Sequence, residues 1–312
     1  EKEAEYNYCL CSELFNPMNG QINIKSTTDL VEVVLGKMAQ MKHYLGEVST
    51  INQGIVTGCN KISKKHLTLY PDMGWHLNQG IFVLSKNELD DLKLNTNEME
   101  LIKPWFKNSD IHKWFTEEET EEFLIYYATK NNYVNVDNIK RYLDQYKPIL
   151  INRNVRTGSV TEEQYKAFLK NEYDISYVMI ASEMKAGNYY CVSYAREKVV
   201  FETPKIVVPQ RSKENTFGYT DKVWYGATDV YFINQKDSDV DLFYLLGLLN
   251  SKLYYFWLYH RGKRKGDTLE LFLKPLSEIP VALDDKIKKA TISDLAQQLN
   301  AAYKKKKNEE SK

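Results

Sequence analysis

Two short apolar segments in the second half of the chain constrain its fold more than any other feature. Residues 205–208 read KIVV and residues 230–233 read VYFI, and both runs are typical of buried strands. Pro209 ends the first run, because proline lacks the N–H that a sheet ladder requires. Between the runs, residues 210–216 read QRSKENT and predict a polar, cationic loop. Loops held at the end of a rigid strand are frequent binding sites, although a merely solvated connection would have the same composition.

An apolar segment and then a basic segment follow the second run. Residues 239–259 read DVDLFYLLGLLNSKLYYFWLY and predict one helix that is apolar on nearly every face. The next residues, 260–266, read HRGKRKG and predict a basic loop that contains glycine. Such a loop can contact phosphate groups, or it can be a mobile, charged linker.

Three sequence blocks occur in the order found in one protein family. The first block is QGIVTGCNK at residues 53–61, and the second is LIKPWFKNSDIHKWF at residues 101–115. The third is the order strand, polar loop, strand, LLGLLNSKL helix, basic loop and LFLKPLSEIPV in residues 201–281. Together they resemble the TaqI-like specificity domain, the target-recognition part of adenine-N6 DNA methyltransferases and of restriction enzymes fused to them. The resemblance spans residues 46–281, and Asn108 departs from it where the family usually has glycine.

The resemblance implies a role in DNA recognition. The chain would be the recognition domain of a type II, IIG-like restriction-modification adenine methyltransferase, and it would position duplex DNA for base flipping by a separate catalytic domain. Its partners would be double-stranded DNA and a methyltransferase core N-terminal to Glu1 in the same polypeptide. That core, with or without a nuclease, would bind S-adenosylmethionine. Since the first residue is Glu rather than Met, we expect the chain to be cut from a longer protein.

The order of predicted elements indicates an α+β fold. Regular strand–helix alternation is absent, so we expect twisted, mixed or antiparallel sheets with helices packed on them. Residues 1–45 would form a helical connector with a helix at 30–45, residues 46–283 the recognition domain, and residues 284–312 a C-terminal helix whose end frays beyond residue 303. The other predicted elements include helices at 136–146 and 161–173 and strands at 175–180 and 189–194.

Composition leaves two classes of function open. The chain has 42 basic and 42 acidic residues, whereas a stand-alone DNA-binding domain usually has a basic excess. The basic residues are clustered, however, and a local field matters more than the total charge. The 23 tyrosines suit a binding surface of any kind. A protein-interaction or scaffold domain that does not bind DNA is therefore the alternative.

Cysteine usage and hydropathy bound the environment of the protein. The four cysteines form no C-x-x-C pair and no cluster with histidine, so we expect neither a zinc site nor a disulfide framework. Free thiols fit a cytoplasmic protein, and no signal peptide is visible. The longest apolar run, residues 242–259, has Asn, Ser and Lys near its middle, which argues against a membrane span.

The motifs of the expected catalytic chemistry are missing from this chain. An adenine-N6 methyltransferase needs a glycine-rich loop for its methyl donor and an Asn/Asp-Pro-Pro-aromatic motif for the flipped base, and neither occurs. There is also no G-x-S-x-G, no phosphate-binding glycine loop and no metal-ligand spacing among the five histidines. We therefore expect binding without catalysis, and no metal or cofactor in this chain.

Two kinds of DNA contact need different residues. Side-chain amides, hydroxyls and cations read base edges, and cations neutralise phosphates. The candidates for base reading are Gln210, Arg211, Ser212, Lys213 and Asn215. The candidates for contact with the DNA backbone are Arg261, Lys263, Arg264 and Lys265 in the basic loop, Thr57, Asn60 and Lys61 in the first block, Lys107 in the second, and the pair Arg153 and Arg156. That pair is equally compatible with surface salt bridges.

Overall fold

A computed structural model describes residues 29–128, 135–153, 188–236, 240–283 and 285–310. In residues 29–153 the elements are α1 (Asp29–Ala39), β1 (His43–Tyr44), α2 (Leu45–Val48), β2 (Ser49–Gln53), α3 (Lys64–Leu69), β3 (Val83–Ser85), α4 (Lys86–Asp91), α5 (Thr96–Met99), β4 (Ile102–Phe106), β5 (Trp114–Phe115), β6 (Glu122–Ile125), α6 (Asp137–Asp144) and α7 (Lys147–Asn152). In residues 188–310 they are α8 (Val199–Glu202), β7 (Lys205–Pro209), β8 (Arg211–Ser212), β9 (Gly218–Thr220), β10 (Tyr225–Gly226), β11 (Val230–Gln235), α9 (Leu242–Leu249), α10 (Lys252–His260), β12 (Lys263–Lys265), β13 (Thr268–Glu270), α11 (Leu273–Ser277), β14 (Pro280–Val281) and α12 (Lys286–Glu310).

The described strands form small sheets that are antiparallel or mixed. A five-stranded sheet has the order β2-β11-β7-β9-β5, in which only the β5–β9 pair is parallel. A four-stranded sheet has the order β10-β4-β6-β3, and a three-stranded antiparallel sheet has the order β12-β13-β8. Strands β1 and β14 pair separately. These sheets with their packed helices confirm the predicted α+β class.

Strands β7 and β11 form the wall between two hydrophobic cores. All five residues of β7 are buried. Val207 pairs with Phe232, and both side chains belong to the core that also contains β3, β4, β6 and α6. Ile206 pairs with Ile233, and both belong to the core built from α1, α9, α10 and α11. The short apolar runs of the sequence are therefore strands buried on both faces.

The predicted single helix at residues 239–259 is wrong, because two polar residues divide it. Helix α9 ends at Leu249 and α10 begins at Lys252. The buried amide of Asn250 mimics a strand partner: its Oδ1 accepts a hydrogen bond from Phe217 N at 3.1 Å, and its Nδ2 donates to Phe217 O at 2.8 Å. Ser251 then caps α10 by accepting from Tyr254 N at 3.3 Å.

The remaining predicted elements differ from the structure mainly at their ends. Helix α1 ends at Ala39 rather than at residue 45. The predicted frayed end is wrong, because α12 continues to Glu310 with i,i+4 ion pairs such as Lys305–Glu309. Residues 189–194 contain a 3₁₀ turn and a single bridge instead of a strand. Three predicted parts lie outside the described residues: the helix at 161–173, the strand at 175–180 and residues 1–28 of the connector.

The predicted division of the chain at residues 45 and 283 stays a prediction. The C-terminal helix α12 packs on α9 and β5. Among the helices of the described ranges, none combines the length and the apolar run that crossing a bilayer requires.

Replacement of Asn250 by Ala should destabilise the protein by about 2–4 kcal/mol, because the N–H of buried Phe217 would lose its acceptor and the Phe217 C=O would keep only the donor Trp114 N. Urea unfolding measures this change. Asn97→Ala, at an exposed position of α5, is the matched control and should change the free energy of unfolding by less than about 0.5 kcal/mol. A loss below about 1 kcal/mol for Asn250→Ala would contradict the role of the amide as a strand mimic.

Candidate nucleic-acid interface

The rigid strand β7 leads almost directly into the first candidate site. Only Gln210 separates β7 from β8, and its backbone is held on both sides. Gln210 N donates to Asp229 O at 2.7 Å, and Gln210 O accepts from Leu271 N at 2.8 Å. The segment predicted as a polar loop therefore begins as an edge strand whose position is fixed by the five-stranded sheet.

The basic segment is a β-hairpin rather than the predicted loop. Lys263–Lys265 form β12 and Thr268–Glu270 form β13, with the turn at Gly266 and Asp267. Strand β13 also pairs with β8, so Lys263, Glu270 and Arg211 form one row across three strands. Two candidate sites that lie about 50 residues apart in the sequence are thus joined in one sheet. We call its solvent-facing side, with Arg211, Lys263, Lys265, Thr268 and Glu270, the cationic face.

The electrostatics of the cationic face depend on one carboxylate between two cations. Lys263 Nζ lies 3.1 Å from Glu270 Oε2, and Arg211 Nη2 lies 3.3 Å from Glu270 Oε1. The hydrogen bond from Lys263, aided by that from Arg211, holds the pKa of Glu270 below its ordinary value. Residues 210–216 and 261–270 together contain six Lys or Arg residues and three Asp or Glu residues. This part of a neutral chain therefore has a local positive excess.

Two of the predicted phosphate contacts have structural roles instead. Arg264 lies on the opposite side of the hairpin, where its guanidinium stacks on the Tyr259 ring at 3.6 Å. Arg261 pairs with Glu32 of α1 at 2.6 Å, and only 19% of its side chain is exposed. Packing thus occupies Arg261 and Arg264, whereas Lys263 and Lys265 are exposed.

Some of the predicted base-reading side chains are exposed, and others are hydrogen-bonded within the protein. Arg211 and Lys213 are exposed, whereas Ser212 is half-buried and its hydroxyl lies 3.0 Å from that of Thr216. The Gln210 amide donates to Thr228 O at 3.4 Å. Asn215 is buried and donates to the carbonyls of Leu249 and Ser251 at 2.6 and 2.8 Å. The amide of Asn215 thus holds the junction of α9 and α10, and its role in base reading stays a prediction.

The candidates from residues 53–61 and 101–115 lie outside the cationic face, in a cleft of about 850 Å³. Lys61 and Lys107 both line it, and their ammonium groups lie 2.6 and 2.8 Å from opposite oxygens of Glu122. Burial alone would raise the pKa of Glu122, but hydrogen bonds from Lys107 and Lys61 outweigh it and lower the pKa. Thr57 is buried and donates its hydroxyl to Asn60 Oδ1, while Asn60 is exposed at the rim. Thr57 also lines the cleft, and its contact with the DNA backbone stays a prediction.

The cleft and the cationic face are neighbours. Thr228 and Asp229 line the cleft, and both accept hydrogen bonds from Gln210, which precedes β8. The turn at Thr228 and Asp229 thus lies between the cleft, with half-buried Lys61 and exposed Lys107, and the cationic face.

The guanidinium of Arg153 joins several segments of the fold, and its role as a phosphate contact stays a prediction. It donates to the carbonyls of Leu150 at 3.2 Å and of Tyr189 at 2.9 Å, and also to those of Thr57 and Cys191. The same group stacks over the Phe82 ring at 4.7 Å. Its predicted companion, Arg156, lies outside the described residues.

Sequence reasoning missed the two carboxylates that organise these cations. Glu122 is the last residue of the acidic run EEETEE at 117–122, and such a run is by composition typical of a solvated segment. Glu270 lies in LEL, where a polar residue alternates with Leu269 and Leu271. That period of two was the available signal for a strand with one exposed face.

Residues 137–281 match the family described as the TaqI-like C-terminal specificity domain. The match contains β7, β8, β12 and β13, and so includes the whole cationic face. It confirms the resemblance predicted from the sequence, over a shorter range than the predicted residues 46–281. These residues are therefore similar to a TaqI-like C-terminal specificity domain. No curated protein sequence matches the chain.

Two solved structures align with most of this chain. The Type IIL restriction-modification enzyme MmeI, solved in complex with DNA, has a TM-score of 0.51 and 10% identity, over 85% of this chain and 29% of that chain. The type IIG restriction endonuclease BpuSI has a TM-score of 0.44 and 11% identity, over 86% of this chain and 28% of that chain. The likeness to MmeI is one of fold, and this chain spans 29% of the MmeI length.

Replacement of Arg153 by Ala should lower the free energy of unfolding by about 2–4 kcal/mol, since several buried carbonyls would lose their donor. Arg141→Ala, on the exposed side of α6, removes the same charge and should have an effect below about 0.5 kcal/mol. Urea unfolding compares the two variants. Unchanged stability of Arg153→Ala together with a weaker salt dependence of DNA binding would restore the phosphate-contact role.

Proposed function

We propose that this chain is the DNA target-recognition domain of a restriction-modification adenine-N6 methyltransferase. The observation that carries the proposal is the cationic face, where two separate segments of the sequence meet in one sheet with exposed Arg211, Lys263 and Lys265. The family match supports it, because the matched residues contain this face and the family is a specificity domain.

The hairpin is the part of the face that would approach the duplex. A two-stranded β-ribbon fits the major groove of B-DNA, and β12–β13 is such a ribbon with exposed residues at its turn. Lys263 and Lys265 would contact phosphates and fix the register of the protein on DNA. Arg211, on the third strand, would reach a base edge, and Lys213 follows it at an exposed position. Lys61 and Lys107 of the neighbouring cleft would contact the backbone farther along the duplex.

The chemistry would belong to the rest of a longer polypeptide. A methyltransferase core N-terminal to this chain would bind S-adenosylmethionine and flip the target adenine, whereas this chain would select the sequence around it. The short share of MmeI that the chain spans is consistent with a recognition part. Residues 1–45 would connect the two units, residues 46–283 would contact DNA, and the parent protein would act in the cytoplasm, where the DNA is.

Binding of the chain to a mixed-sequence duplex should weaken steeply with salt between about 50 and 200 mM KCl, because released counterions drive phosphate contacts. The double variant Lys263→Gln, Lys265→Gln should weaken binding and reduce the slope of log K against log[salt] by about 2. Fluorescence anisotropy of a labelled duplex measures both quantities.

The matched control removes two exposed lysines from the far end of α12, Lys305→Gln and Lys306→Gln. An equal loss of affinity in the control would show that total charge, and not the cationic face, determines binding. Binding that ignores salt, with self-association through exposed apolar residues of α12 such as Leu295 and Tyr303, would favour the protein-interaction role instead.

A further inference from the structure

Glu270 is placed in an unusual way for a carboxylate on a DNA-binding face. Only 8% of its side chain is exposed, whereas the side chains of Arg211 and Lys263 on either side are 56% and 63% exposed. A negative charge on this face repels phosphate and so opposes affinity for any duplex. The arrangement therefore calls for a role other than attraction to DNA.

The contacts of Glu270 fix the orientation of Arg211. Oε1 accepts from Arg211 Nε at 3.3 Å and lies at the same distance from Nη2. Those contacts use one edge of the planar guanidinium, while the Nη1 group makes no hydrogen bond to any residue that the structure describes. Because the guanidinium is rigid and flat, holding one edge determines where its remaining N–H donors point.

The Phe272 ring is a second contact that Arg211 and Lys263 share. The Phe272 ring lies under both groups, with its centroid 5.8 Å from the Arg211 guanidinium carbon and 5.0 Å from Lys263 Nζ. The carboxylate between them also screens the repulsion that two neighbouring cations would otherwise feel. Arg211 and Lys263 are therefore presented side by side, on a floor formed by Glu270 and Phe272.

We propose that Glu270 is a positioning residue for base recognition, which orients the free donors of Arg211, beside Lys263, toward the O6 and N7 atoms of a guanine in the major groove. An Arg that donates to both atoms is the commonest specific contact between proteins and guanine. The proposal rests on the proposed DNA-recognition function and adds the residue that sets its selectivity. Glu270 itself would not touch DNA.

The proposal predicts a direction for the change in DNA affinity that differs from the one a structural role predicts. Glu270→Gln removes a negative charge and should keep or increase affinity for a mixed-sequence duplex. It should also release the guanidinium and reduce the preference for guanine at one position by about tenfold. Gln fits the space of Glu, and the two cations that pair with Glu270 are more than half exposed, so the melting temperature should change by a few degrees at most. A merely structural role would instead lower affinity for all sequences together with the melting temperature.

The experiment is selection from a random duplex library, followed by sequencing of the bound fraction, with the chain and four variants. The wild type should enrich a site that contains guanine. Arg211→Ala and Glu270→Gln should lose enrichment at the same guanine, and the double variant should lose no more than either one, because the two residues act as a unit. Glu214→Gln removes an exposed carboxylate two residues beyond β8 and should keep the wild-type site.

The possible failures are distinguishable. A wild type that binds duplex DNA selectively while Glu270→Gln selects the same site overturns this inference and leaves the proposed function intact. Parallel loss of affinity and melting temperature in Glu270→Gln also overturns it, in favour of a structural ion pair. A wild type that enriches no sequence and shows no salt-dependent binding overturns the proposed function, and the inference with it.

Discussion

The burial of β7 and β11 on both faces is the constraint on which the rest of this structure depends. Their side chains alternate between two cores, so a slip of one residue would exchange the two sets and place every side chain in the wrong core. The register is therefore strongly specified. Only Gln210 lies between β7 and β8, and both its N–H and its C=O are hydrogen-bonded. The register of β7 therefore also fixes the backbone position of Arg211. The position of the proposed binding surface is therefore fixed by the core rather than by its own loop.

A neutral chain can present a positive surface because its cations are grouped around few carboxylates. Glu122 lies between Lys61 and Lys107, and Glu270 lies between Arg211 and Lys263. Each group keeps one net positive charge and a fixed geometry, while the acidic residues that balance the total are elsewhere. The field near the hairpin thus differs from the net charge of the whole chain. In the proposed role this arrangement would favour selectivity, because oriented donors discriminate between bases better than mobile ones do.

The sequence predicted the features that depend on hydrophobic burial and missed those that depend on tertiary pairing. The runs at residues 205–208 and 230–233 identified the central strands, since short runs rich in β-branched residues are typical of buried strands. Strands β8 and β12 carry polar residues and are only two or three residues long, so only their pairing with β13 reveals them. Arg153 and Asn215 had the chemistry of DNA contacts, but their partners are carbonyls from distant segments. The resemblance to a known family supplied the function that the pattern of residues left open.

Hydrogen–deuterium exchange of the chain, with and without a mixed-sequence duplex, tests the central claim most directly. Strand β12 is an edge strand and the turn at Gly266 and Asp267 is exposed, so their amides can report a bound duplex. The account predicts slower exchange in residues 210–213 and 261–270 at low salt, with the protection lost as salt rises. Protection confined to α12, or unchanged exchange in both segments while the duplex remains bound, would contradict it.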